Sequence, residues 1–551
     1  MTMNAAMNAA QALVGTLKRH AVDRVFCVPG ESFLAVLDAL HDEPSIEVIT
    51  CRHEGGAGFM AVADAKLTRK PGVAFVSRGP GASNASIALH VADQDAVPFV
   101  LFIGQVERKD RGRGAFQEVD YQKTFGGMCK GVWEVNHGEE LAGVCAEAFA
   151  LASAGVAGPV LVVLPEDMLY DAASTVADPL PRVAAGAPAA ADMKRAVELL
   201  AKAQRPVMIV GSALTPADVE WVVKASEAWG IPMVAGWKQQ HLIPNRHPHY
   251  AGHLGYNIPA AHLDILLPAD LVLAVGTRLG DVTTQGYRFP LAPKPEQPLI
   301  HVHPAREALN RVHQADVAIA ADCGAFLSAL TAAAPKPAPV RTEWMAKTHG
   351  YAKTLMQWKG PESAPDGVVF GAVAAALNDL LPDDAILTHD AGNFSGWVHR
   401  YFYFSGRHTL IAASAGAMGI GVPAAVAAAM RYPKRRVIGF VGDGGILMTG
   451  NEIATARMYG VKPLIILSNN NSFATIRQHQ EKHFPGRVKS TGLANPDFVA
   501  YAKAFGAKAW LIDSAEKIKP VLSEALAADT AAVVVVNSSL KHISAFATLK
   551  G

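Results

Sequence analysis

Short continuous apolar runs, each closed by glycine or a small polar residue and followed by helical spacing, set the rhythm of the chain. Runs of this length bounded by turn residues read as buried strands, and regular alternation with helices reads as parallel sheet. The first third carries runs at 24–28, 46–50, 73–77, 99–103 and 158–164, with helices expected over 10–20 and from Gly55 through Ala65. The middle carries 206–210, 270–275 and 299–302, and the last third 385–388, 437–441, 463–467 and 532–536. Two stretches rich in Ala and Pro, 172–192 and 332–341 continuing toward 366, break the pattern and read as linkers. The expectation is an α/β protein of three doubly wound parallel-sheet domains, at 1–175, 190–335 and 360–551, the middle one Rossmann-like.

The most informative stretch begins with the run 437–441 and continues as Gly442-Asp443-Gly444-Gly445. Thr449 and Glu452 stand three apart before 453–460, which reads as a capping box opening a short helix with a glycine stop. The run 463–467 and Ser468-Asn469-Asn470-Asn471-Ser472 complete a βαβ unit. Its right-handed crossover makes the two strands parallel, so Asp443 and Asn470 both emerge at carboxyl ends, the edge where open parallel sheets bind ligands. A carboxylate, a side-chain amide and turn carbonyls are hard oxygen donors suited to Mg²⁺ or Ca²⁺ and not to zinc. Free N–H groups at Gly444 and Gly445 suit a phosphate oxygen. From these residues alone, a metal-clamped diphosphate site and an ordinary Gly-Asp-Gly turn both remain open.

Composition narrows the partners. The 551 residues hold 50 basic and 49 acidic side chains, net +1, which leaves no electrostatic footprint for nucleic acid or an anionic membrane. Five cysteines, odd in number and scattered, outline neither a disulfide framework nor a zinc site, and a reducing cytoplasm is the default expectation. The N-terminus lacks a basic region followed by an apolar core, and the longest apolar stretch, 415–430, is broken by Gly and Pro. No intact G-x-G-x-x-G follows a strand of the middle segment, so a nicotinamide dinucleotide site is poorly supported.

Gly442-Asp443-Gly444 followed by Asn469-Asn470 at this distance resembles the signature of thiamine diphosphate enzymes. Arg52-His53-Glu54 is similar to the segment carrying that family's activating glutamate, and Gly416-Ala417-Met418-Gly419 to the segment whose bulky residue supports the bent cofactor. Gly104-Gln105-Val106, Ala115-Phe116-Gln117-Glu118 and residues 476–481 resemble the acetolactate synthase branch. The resemblance spans nearly the whole chain, in the order pyrimidine-binding, central and diphosphate-binding domain.

The resemblance implies that Glu54 shares a proton with the cofactor's pyrimidine ring. It places Met418 beneath the cofactor beside Gly416, and Mg²⁺ on Asp443, Asn470 and the main-chain oxygen of Ser472. Gly79, Asn393, Ser395, Gly444 and Gly445 join the cofactor contacts, while Phe116 and Gln117 line the reaction pocket. Glu31 falls where related pyruvate decarboxylases place a catalytic aspartate. The implied activity is decarboxylation of a 2-oxo acid such as pyruvate, followed by release of an aldehyde or by carboligation, in a homodimer that shares its active sites or in a tetramer.

Three departures qualify the branch. Its substrate-binding arginine is replaced by Val282 in Arg278-Leu279-Gly280-Asp281-Val282, its acceptor-selecting tryptophan by His479, and its flavin-contacting segment reads Gly252 to Asn257, which weakens the case for FAD. A 2-hydroxyacyl-CoA lyase or oxalyl-CoA decarboxylase would use the same machinery, but Lys541, His542 and Lys550 are a thin basic supply for CoA phosphates. A silent cofactor-binding regulator is the remaining alternative, opposed by the intact Glu54, Asp443 and Asn470.

Overall fold

The computed structural model of the chain describes residues 7–181, 185–256, 258–336 and 338–549. Asn257, Lys550, Gly551, residues 182–184 and 337 of the two Ala/Pro-rich stretches, and the first six residues lie outside the described residues. Three six-stranded sheets, each parallel throughout, form three α/β domains as the hydrophobic rhythm implies.

In the first sheet the spatial order is Glu47–Thr50, Arg24–Cys27, Gly72–Val76, Phe99–Gln105, Pro159–Pro165 and Gly131–Glu134. In the third it is Thr409–Ala412, Ile386–His389, Val437–Gly442, Leu464–Asn469, Ala532–Asn537 and Lys508–Ile512. Numbered within each domain, both read 2-1-3-4-6-5, so the outer domains share a fold. The middle sheet runs Val317–Ala320, Leu299–His303, Leu271–Val275, Pro206–Val210, Met233–Ala235 and Tyr250–His253, the 3-2-1-4-5-6 order of a Rossmann fold read from its far edge. Each order reverses direction beside its first strand, and the loops there part to leave a crevice. In the third domain that place lies between Ile386–His389 and Val437–Gly442, paired from Ile386↔Val437 to His389↔Phe440.

The outer domains are joined by one continuous hydrophobic cluster. At its centre the helix Glu54–Thr68 packs on the helix Gly421–Arg431, and alanines such as Ala57, Ala61, Ala424 and Ala428 are fully buried between them. Small side chains let the helices approach closely, and burial all round explains why the stretch 415–430 is so apolar. Arg431 clamps the same contact. Its guanidinium donates to both carboxylate oxygens of buried Asp64 at 2.8 Å and to Asp23 at 2.6 and 2.9 Å.

Three sequence expectations need correction. The expected capping box does not exist: the helix starts at Asp443 and runs to Thr449, and Glu452 ends a 3₁₀ turn ahead of Ile453–Met458. The residues beyond Arg341 form the helix Thr342–Met356 where composition suggests linker, because Trp344 is buried against the middle domain and its indole N–H donates to the Pro206 carbonyl at 2.8 Å. Strands at Gly131–Glu134, Met233–Ala235, Tyr250–His253, Val317–Ala320, Thr409–Ala412 and Lys508–Ile512 were not expected. All but Met233–Ala235 are edge strands, and several carry half-exposed residues that dilute the apolar signal.

Arg431→Met removes both hydrogen bonds to buried Asp64, leaving only Arg24 at 3.9 Å, and is expected to cost about 3 kcal/mol. Denaturant unfolding checks this, and a midpoint unchanged from wild type contradicts the clamp.

Candidate active site

The crevice of the third domain opens into a cavity of about 230 Å³. Three helices begin on it: Asn393–Tyr401, Asp443–Thr449 and Ala474–His483. Helix N-termini carry unpaired N–H groups and partial positive charge, so their convergence favours an anion with several oxygens.

Asp443 stands at the centre, 4% exposed. One carboxylate oxygen accepts the N–H of Gly444 at 2.9 Å, and the other those of Asn470 at 3.1 Å and Ser472 at 3.3 Å and the Asn495 amide at 3.0 Å. Burial nevertheless raises its pKa above the ordinary carboxylate value, against the lowering by these donors. A carboxylate in that position lacks positive charge, which a divalent cation supplies. Asn470 Oδ1 accepts the Ser472 N–H at 3.2 Å, and Asn471 takes the left-handed conformation, φ 54°, so the strand end turns back on Asp443. Among the described residues no group of three His, Cys, Asp or Glu could hold a metal. The donors here are one carboxylate, one amide oxygen and a main-chain carbonyl, a hard set that fits Mg²⁺ when phosphate oxygens complete the shell. The cradle needs its glycines: a Cβ on Gly444 would lie 2.4 Å from the Phe473 ring, and one on Gly445 2.2 Å from Asp390 Oδ2.

Met418 reaches the cavity from a loop bounded by Gly416, φ 72°, and Gly419, φ 83°. Two buried side chains that the sequence did not place at the site hold that loop. Asp390 accepts the Gly421 N–H at 2.5 Å, and burial pushes its pKa up to about 6 although the N–H groups of Gly421, Gly419 and Ile420 oppose the shift. Thr449, expected to be a cap, donates its hydroxyl to the Gly419 carbonyl.

Asn393 lines the cavity; its amide donates to Gln478 at 2.7 Å and its oxygen accepts from Thr475 at 3.1 Å. Ser395 instead bonds the Gly392 carbonyl at 2.8 Å and faces a neighbouring chamber. Arg278 donates to the Gln94 carbonyl, and with Val282 it lines a separate cavity of about 410 Å³ at the reversal of the middle sheet.

The other expected residues gather on the first domain. Glu54 opens its helix, half-buried, with Asn84 donating to Oε2 at 2.9 Å. Gly79 donates its N–H to the Gln117 carbonyl at 3.2 Å, Gln117 is left-handed at φ 66°, and Phe116 is 76% exposed. Glu31 is exposed, 3.6 Å from Arg78. None of Glu31, Glu54, Gly79, Phe116 and Gln117 lines the cavity at Asp443. Within one chain the expected residues therefore form two groups.

Glu452 connects the two domains. Fully buried, it accepts the backbone N–H groups of Arg52 at 3.0 Å and His53 at 3.1 Å, and the Thr455 hydroxyl at 2.5 Å. Gly56 makes room, since a Cβ there would sit 2.3 Å from Glu452 Oε1. Tyr459 adds a second tie, accepting from Thr50 N at 2.8 Å and donating to the Val48 carbonyl at 3.0 Å. Together they fix the backbone that leads into Glu54.

The chain belongs to the thiamine pyrophosphate enzymes. Residues 7–124 match the family's N-terminal TPP binding domain, 193–330 its central domain and 390–536 its C-terminal TPP binding domain. Within the family it is related to acetolactate synthases. It is 31% identical over 545 residues to an acetolactate synthase large subunit of Parasynechococcus marenigrum, covering 96% of this chain and 87% of that protein. The acetolactate synthase isozyme 2 large subunit of Escherichia coli is 31% identical over 535 residues, covering 95% and 94%. An acetolactate synthase of Mycobacterium bovis is 32% identical over 547 residues, covering 96% and 87%.

Asp443→Asn removes the one carboxylate among the donors, and Mg²⁺-supported binding of thiamine diphosphate is expected to weaken by about a hundredfold or more, read by calorimetry. Unchanged Mg²⁺ dependence contradicts the assignment. Glu452→Ala strands two N–H groups at about 1–3 kcal/mol each, whereas Glu452→Gln keeps an acceptor and costs less. Equal losses in denaturant unfolding contradict the role given to Glu452.

Proposed function

We propose that the chain is a thiamine diphosphate- and Mg²⁺-dependent enzyme that decarboxylates a 2-oxo acid and passes the remaining acyl group to a carbonyl acceptor. The oxygen set at Asp443, facing three helix N-termini in a glycine-lined crevice, is the observation that carries this reading. When bound, the cofactor supplies an electron sink for cleavage of the bond between the carboxylate and the carbonyl carbon.

The chain's own residues do the positioning and the proton handling. Asp443, Asn470 and the Ser472 carbonyl hold the cation, and the N–H groups of the three helices hold the diphosphate. Met418, at the wall of the cavity, would support the cofactor's rings. Glu54, held by the Asn84 amide at 2.9 Å, would share a proton with the cofactor's pyrimidine ring. Phe116 and Gln117 would line the pocket around the reacting atoms.

Glu54 and Asp443 line no common cavity in one chain, so we take the working unit to be a homodimer or a larger assembly in which one copy supplies each half. Apolar side chains lie exposed beside both halves: Phe116 and Ile87 on the first domain, Leu447, Met448 and Ile476 around the cavity. These exposed apolar side chains support an interface at both halves.

Purified protein given thiamine diphosphate and Mg²⁺ is expected to release carbon dioxide from at least one 2-oxo acid in a panel, with products identified by NMR. No turnover on any donor, with or without aldehydes, contradicts the reading. Glu54→Gln is expected to abolish turnover while sparing cofactor binding; retained carbon dioxide release removes Glu54 from the mechanism. Sedimentation is expected to show a dimer or larger species, and an active monomer contradicts the shared site.

A further inference from the structure

The loop that carries Gly416 and Met418 continues the edge strand Thr409–Ala412, which pairs on one side only, with Ile386–His389. An edge strand leaves main-chain groups without a ladder partner. Here the first and middle domains supply partners. Lys66, on the helix Glu54–Thr68, donates to the Ala412 carbonyl at 2.7 Å and to Asp95 Oδ2. Asp95 ends the helix Gly79–Asp95 and accepts the Ser414 N–H on Oδ1 at 2.7 Å. Lys238, just beyond the middle-domain strand Met233–Ala235, donates to the Ala413 carbonyl, and the Trp237 indole N–H lies 3.4 Å from the Ser414 carbonyl. The Ala413 carbonyl also accepts the Gly416 N–H at 3.0 Å, which closes the turn into the loop.

The far end of the loop is fixed within its own domain, by Asp390 at Gly421 and by Thr449 at Gly419. Between the two anchors, Gly416 and Gly419 take positive φ, where glycine has more freedom than any other residue. The stand of Met418 therefore depends on both ends being held. None of Lys66, Asp95 and Lys238 lines the cavity at Asp443, so whatever they do for the site they do through the main chain of 412–414.

The entry anchor is built from side chains that are costly to bury. Lys238 is 4% exposed, and its one hydrogen bond among the described residues is to Ala413. Burial lowers its pKa to about 7, although Asp95 and Asp390 attract its charge. A lysine whose pKa falls on folding takes stability away as pH drops below its unfolded value, in full below about pH 7. An apolar side chain of similar volume would fill the same space without that penalty. Groups that weaken a fold in this way gather where a site needs them.

We propose that Lys66, Asp95 and Lys238 are positioning residues for the cofactor: from the first and middle domains they hold residues 412–414 and so set where Met418 stands at the diphosphate cavity. The identity of the ligand rests on the proposed function; the anchor itself does not. Cofactor binding in the third domain then depends on contacts from both other domains, made by residues outside the cavity.

Amide hydrogen exchange and calorimetry on the full chain test this apart from turnover. Lys238→Met is expected to speed exchange across 413–419 roughly tenfold and to weaken binding of thiamine diphosphate with Mg²⁺ about tenfold. Its denaturant midpoint at about pH 6.5 should not fall below that of wild type, because the buried charge is gone. Asp95→Ala, which removes the acceptor of the Ser414 N–H, should also weaken cofactor binding, and Asp95→Asn, which keeps an oxygen there, should bind the cofactor more tightly than Asp95→Ala. Exchange and binding unchanged in Lys238→Met, binding lost only in step with stability, or Asp95→Asn binding no better than Asp95→Ala overturns the proposal. Wild-type protein that binds the cofactor but turns over no 2-oxo acid contradicts the proposed function instead, and the exchange and binding readouts still decide the anchor.

Discussion

Burying a carboxylate is costly unless hydrogen bonds or positive charge compensate it, and the C-terminal domain does so three times at its crevice. Asp443 collects the N–H groups of the returning strand end and orients the oxygens around it. Asp390, beneath Gly445, holds the loop that presents Met418. Glu452 reaches into the first domain and fixes the two residues before Glu54. Each carboxylate draws on main-chain donors, so the positions of the cofactor's expected tail, middle and activating contacts all follow from backbone geometry.

The two outer domains have the same strand order and place their expected functional residues on the same edge, beyond the carboxyl ends of strands 1 to 4. There the likeness ends. The third domain offers oxygens and helix N-termini, which suit a cation and an anion together, whereas the first offers Glu54 beside small residues and an exposed aromatic loop. Neither crevice gathers both groups of expected residues. The core shared by the helices Glu54–Thr68 and Gly421–Arg431, clamped by Arg431, holds the two crevices in fixed relation within a chain without merging them.

Much of this was legible in the sequence, for physical reasons that also mark where legibility stops. Central strands such as Pro206–Val210 are buried on both faces and read as unbroken apolar runs, whereas Lys508–Ile512 is half solvated at a sheet edge and reads as nothing in particular. Asp443 and Asn470 could be placed together because a right-handed βαβ crossover dictates that both emerge on one edge. Glu452 could not: its partners lie about four hundred residues away, and its spacing from Thr449 imitated a capping box that both residues forgo for tertiary contacts. Asp390 carried no local pattern at all. Its significance lies in burial and in its bond to the Gly421 N–H, which only packing creates.

The central claim is that the catalytic unit is assembled from two incomplete crevices on different copies of the chain. Co-expression of the Glu54→Gln and Asp443→Asn chains tests it most directly, since each is expected to be inactive alone. In a mixed dimer one site would carry both substitutions and the other neither. The account predicts recovery of about a quarter of the wild-type rate under random pairing. No recovery, with mixed dimers demonstrated by differential tags, would place Glu54 and Asp443 in the same chain's site and contradict it.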